Sequence, residues 1–118
     1  MKYLLMLICI ITSSLEASQN SALLFHGNCT TCHFETKSVS APAMMEVRKR
    51  YLSAFPDKKD FIKQMAEWVH KPNEERSIMQ DAIDKYGLMP NLAFEKDVLQ
   101  DIAEYIYETD FTKQHKLH

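Results

Sequence analysis

Five consecutive residues, Cys29-Thr30-Thr31-Cys32-His33, carry the strongest chemical signal in the chain. The pattern C-x-x-C-H attaches haem c covalently. In a helical turn, residues three and four apart share a face. Both thiols then stand beside the two haem vinyl groups, where they form thioethers, and His33 comes over the iron as the proximal ligand. Other chemistries use parts of the same pattern. In thiol oxidoreductases the first Cys of C-x-x-C opens a helix after a strand and has a lowered pKa. Nothing upstream of Cys29 reads as a strand; Ala22, Leu23, Leu24 and Phe25 give the stretch from Asn20 to Gly27 the look of a short helix with an apolar face. A structural zinc site needs four Cys or His ligands in paired spacings, and no second pair follows. A Cys29–Cys32 disulfide would staple almost nothing, because its loop is so short. Haem attachment is the leading reading of the five residues.

A haem iron held by His33 has one further axial position, and its occupant decides function. Met89, in Tyr86-Gly87-Leu88-Met89-Pro90-Asn91, is the candidate. It lies between Gly87 and Pro90, outside any periodic stripe, in a loop where the following proline holds the chain extended. Met44, Met45, Met65 and Met79 fall on expected helices at core spacing and read as gap-fillers. His26 points a different way from His33 on its helix. His70 sits at a helix C-terminus, where a partly charged imidazole is favourable in any case, and His115 and His118 are in the tail. These four read as surface residues, with His70 the one that competes with Met89.

Five helical segments and no strand position these groups. The first spans about 20–33 and ends in the motif. A polar loop runs from Phe34 to Ala41, and Pro42 precedes a helix at 43–53 with Met44, Val47 and Tyr51 on one face. Asp57 is a plausible N-cap for the third, in which Phe61, Ile62, Met65, Trp68 and Val69 recur at helical spacing and which stops before Pro72. The fourth begins near Asn73, carries the stripe Ile78, Met79, Ala82, Ile83 and Tyr86, and ends at Gly87, a residue able to take positive φ. The fifth, at 95–109, turns Val98, Leu99, Ile102, Ala103 and Ile106 inward. Residues 112–118 form a polar tail that frays. The fold class is all-α.

The chain has 118 residues, two glycines and four prolines. Residues 1–17 read as a secretory signal, with Lys2 at its start, an apolar run from Tyr3 to Ile11, and Ser13, Ser14 and Ala17 as a small-residue exit. The run is too short for a comfortable membrane span, so residues 18–118 are one domain with no span unless the signal stays uncleaved. Cys9 is removed with the signal, which leaves only the two cysteines that a haem would consume. Of 14 basic and 16 acidic residues, the mature chain loses Lys2 and Glu16, one of each, so its net charge stays at −2. That balance offers no electrostatic case for nucleic acid.

Taken together these residues resemble a small class I cytochrome c, a monohaem electron carrier, over about Ser21 to Tyr107. Phe25, four residues before the first Cys, matches the family's helix-contact aromatic, and Ile102 and Tyr105 match the pair against which it packs. Pro42 matches the proline whose carbonyl takes the Nδ1–H of the haem His, and Met89-Pro90 matches the axial Met loop. Ser21 stands where the family often has Gly, Phe34 follows the motif where Gly is frequent, and residues 53–75, with Trp68, make a longer middle section that covers a haem edge or propionate. The resemblance implies a cytochrome c fold of about five helices around one covalently attached haem c, bound by Cys29 and Cys32 and ligated by His33 and Met89. It implies a periplasmic, non-enzymatic protein whose partners are an electron donor and an electron acceptor. A cytochrome subunit held in a larger periplasmic redox enzyme is the alternative, and a haem sensor with a dissociable Met ligand ranks behind both.

Overall fold

A computed structural model describes residues 19–113. The expected signal segment, Cys9, His115 and His118 lie outside the described residues. Within them the secondary structure is all helical: α1 through residues 19–28, α2 at Met44–Ala54, α3 at Lys58–His70, α4 at Gln80–Tyr86 and α5 at Lys96–Glu108. No described helix is long and apolar enough to cross a membrane.

Each boundary has a local cause. Asp57 caps α3, its side chain accepting from the N–H groups of Lys59 and Asp60 at 3.0 and 3.2 Å. At α2 the N-terminal donors are met by the preceding loop instead. Ser38 Oγ accepts from Ala43 N–H at 2.8 Å, and the carbonyls of Phe34 and Glu35 accept from Met44 and Met45. These bonds fold residues 34–38 back onto the start of α2, and with them the neighbourhood of His33 and Pro42. Gly87, at φ +83, closes α4 and donates its N–H to Ile83.

Two boundaries differ from the periodicity. α1 ends at residue 28 rather than 33; beyond it the chain forms turns. α4 begins at Gln80 rather than near Asn73. Polar side chains take the intervening backbone groups in turn geometry: Asn73 Oδ1 accepts from Arg76 N–H, Ser77 Oγ from Met79 N–H, and Gln80 Nε2 donates to the carbonyls of Glu74 and Ser77. Such local bonds compete with a helical ladder. Met79 therefore sits at the N-cap of α4, not on a helix as its spacing suggests.

The core centres on α3 and α5. Phe61, Met65 and Ala66 from α3 are buried with Leu99, Ile102, Ala103 and Ile106 from α5. Phe25, fully buried on α1, packs its ring 5.1 Å from Tyr105 and 5.4 Å from Phe111. Tyr51 from α2 meets Phe61 edge-on at 5.8 Å. By contrast α4 packs its backbone against none of α2, α3 and α5, and a cavity lies among the walls they share.

Candidate functional site

Residues 29–33 leave α1 in a wound turn. Cys29 N–H donates to Phe25 O at 2.8 Å, and His33 N–H donates to Cys29 O at 2.8 Å. The i to i−4 pattern thus continues past the end of the helix, and Cys29, Cys32 and His33 all line one cavity while Thr30 and Thr31 do not. Thr30 instead turns its hydroxyl to His26 O at 2.6 Å.

The cavity measures about 220 Å³. Its walls are apolar: Met44 and Tyr51 of α2, Met65 of α3, Leu99 and Ile102 of α5, and Ile83 of α4 contribute. The loop after α4 adds Met89, Leu92 and Phe94. Leu99 and Met79 are buried, and both face this space.

His33 Nδ1 lies 2.7 Å from Pro42 O. A carbonyl only accepts, so Nδ1 carries the proton and the Nε2 lone pair is free. Burial lowers the His33 pKa, an effect that the Pro42 bond partly opposes. The imidazole is thereby kept neutral and fixed in one tautomer, the state a metal ligand requires.

Both thiols are free. Burial pushes the Cys29 thiol up to about 11, and its position at the carbonyl end of α1 adds no help to a thiolate. A dithiol nucleophile needs the opposite environment. Nor do Cys29, Cys32 and His33 converge on a point: no three His, Cys, Asp or Glu side chains form a metal-binding group among the described residues. Two thiols along one wall with a bare imidazole nitrogen nearby suit a flat, extended ligand better than a chelated ion.

No protein-family model, curated protein or solved structure matches this chain. Among the described histidines only His33 lines the cavity. His26 packs edge-on against Phe25 and lies 3.4 Å from the Tyr105 hydroxyl. His70, read from sequence as a surface residue, is half-buried and donates Nδ1–H to Phe94 O at 3.0 Å. Among the described residues four methionines line the cavity, Met44, Met65, Met79 and Met89. Met44 and Met65 belong to the packed core cluster, whereas Met79 and Met89 flank α4. Sequence reasoning passed over Met79 because its spacing imitates a helical stripe. Trp68 lines the same cavity, but its indole N–H is already donated to Asn73 O at 3.0 Å. Its contribution to the site is an apolar ring. Tyr51 is buried on the α2 wall, and burial pushes its hydroxyl up to about 12, so it stays protonated.

Proposed function

We propose that this chain is a monohaem c-type cytochrome of the class I kind, exported to the periplasm, which passes electrons between redox partner proteins. One haem c would be bound through Cys29 and Cys32, and His33 and Met89 would hold its iron. The observation that carries the reading is the pairing of two free thiols and a tautomer-fixed imidazole on one wall of an apolar cavity. When bound, the haem supplies reversible one-electron chemistry between Fe(III) and Fe(II).

The chain's own residues set the terms of that chemistry. Pro42 O holds the proton on His33 Nδ1, which leaves Nε2 as the electron-pair donor and raises its basicity. A Met89 thioether is a soft ligand and favours Fe(II), which raises the potential relative to two imidazoles. If His33 and Met89 both held the iron, no position would be left for substrate or oxygen, which favours electron transfer over enzymatic turnover. Apolar walls from α2, α3 and α5 would limit solvent access to the bound group, which would keep the site's reorganisation on changing charge small. Docking would occur where the motif reaches the surface, at the exposed Cys32.

The test is the visible spectrum of protein exported from a strain that matures haem c, oxidised and reduced. Sharp reduced c-type bands together with the weak far-red band of Met–Fe(III) ligation are expected. A colourless product with two titratable thiols would overturn the haem reading altogether.

A further inference from the structure

The loop that carries Met89 spans residues 87–95 and contains no helix. Its internal supports are local. Gly87 donates back to Ile83, and Asn91 Oδ1 accepts from Ala93 N–H at 2.8 Å. Ala93 takes φ +58, a left-handed conformation unfavourable for a residue with a Cβ. The surrounding contacts hold that geometry, the Asn91 bond from within the loop among them. Besides the bonds at its two ends, Gly87 N–H to Ile83 O of α4 and Leu99 N–H of α5 to Glu95 O, the described residues show one side-chain hydrogen bond reaching the loop from another element, the 3.0 Å bond from His70 Nδ1–H to Phe94 O, next to Ala93.

His70 is the last residue of α3, the helix most extensively packed against α5. Its side chain is half-buried and does not line the cavity, whereas Met89, Leu92 and Phe94 do. We infer that His70 is a positioning residue for the sixth iron ligand: by clamping Phe94 O to the rigid end of α3, it holds the strained loop so that Met89 faces the cavity. This rests on the proposed Met89 ligation. The acceptor is a carbonyl, so Nδ1 must be the donating nitrogen, and an Asn side-chain amide can supply an N–H at the same place.

The loop is a two-state element, held or released, and only the released state admits an external ligand to ferrous iron. Loss of one such hydrogen bond shifts that equilibrium about fivefold. The carbon monoxide binding rate of the reduced protein, which scales with the released fraction, therefore reads the clamp directly. Wild type, His70→Ala and His70→Asn would be compared as haem-loaded proteins, with covalent haem content and far-ultraviolet helix signal as controls. His70→Ala is expected to bind carbon monoxide about fivefold faster, with haem content and helix signal unchanged, and His70→Asn to return most of the way to wild type. A wild type showing a far-red band that Met89→Ala abolishes, with a His70→Ala rate equal to that of the wild type, would overturn the clamp and leave Met89 ligation standing. A His70→Asn rate as fast as that of His70→Ala would also overturn it. A wild type without the far-red band would overturn Met89 ligation, and the clamp with it.

Discussion

Replacing Phe25 with Ala tests whether α1 presents the C-x-x-C-H turn by means of one buried ring. Phe25 is fully buried, 5.1 Å from the Tyr105 ring and 5.4 Å from Phe111, and its carbonyl accepts the Cys29 N–H. Truncating a fully buried Phe costs about 3–5 kcal/mol. At about 4–8 °C per kcal/mol for a domain of this size, the Tm should fall by about 12–40 °C. Leu23, two residues away on the same helix, is 70% exposed, so Leu23→Ala should cost at most about 0.5 kcal/mol. Guanidinium unfolding of both variants and the wild type in the same haem state gives the difference. Of the Phe25 loss, about 0.5–1.5 kcal/mol should reappear as coupling in a double-mutant cycle with Tyr105→Ala. Equal losses from Phe25→Ala and Leu23→Ala would refute the placement of α1 against α5. So would a Phe25–Tyr105 cycle with no coupling.

Met89→Ala should keep the haem attached, lose the far-red band and bind carbon monoxide, while Met79→Ala keeps the band; the reverse pattern would make Met79 the ligand. Cys32→Ala should lose one thioether and weaken covalent attachment, and a fully loaded, acid-stable product would contradict two-thioether bonding. Tyr51 keeps its proton in the folded chain up to about pH 12, whereas unfolded Tyr ionises near 10. The folded state then binds more protons between those values, so stability should fall by up to about 2–3 kcal/mol from pH 10 to 12. Tyr51→Phe should flatten that part of the alkaline unfolding curve, and an unchanged slope would show that Tyr51 ionises as freely as in water. Expressed without haem, the chain should show far less helical circular dichroism than the loaded form, and native-like helix content would refute coupled folding.

What the sequence made legible was what depends on neighbours in the chain. The stripes of α3 and α5, the Asp57 cap, the Gly87 stop and the shared face of Cys29, Cys32 and His33 all follow from spacings of four or fewer residues. Periodicity erred where side chains bind backbone locally. Asn73, Ser77 and Gln80 hold residues 73–79 in turns, so a helical stripe that includes Ile78 and Met79 exists in the sequence and not in the fold. The same error hid Met79 as a second thioether on the cavity. His70 was illegible for another reason. Its partner, Phe94 O, is a backbone group 24 positions away, and no residue type at 94 announces that its carbonyl will be needed. The Trp68 N–H is met by a backbone carbonyl in the same way, so the middle section gives the cavity an apolar wall and no indole donor.

The cavity and the isolation of α4 have one physical explanation. Left unfilled, 220 Å³ at about 24 cal/mol per Å³ would cost about 5 kcal/mol, an upper figure because the space opens to solvent. A whole domain is typically stable by only about 5–15 kcal/mol. α4 has seven residues, well short of the roughly 12–15 at which an isolated helix becomes even marginal in water. Its tie to α2, the Arg50–Asp81 ion pair, is exposed on the Asp81 side, and such pairs contribute about 0–1 kcal/mol. Direct helix packing therefore supports α2, α3 and α5, but not the segment from α4 through Met89. A large apolar group bound in the cavity would supply the missing contact area to that segment and to the core walls together. The segment that carries Met89, the ligand proposed above, is thus the one that gains most from a bound group, and this makes the His70 clamp consequential: among the described residues it is the side-chain bond that ties the middle of the Met89 loop to α3.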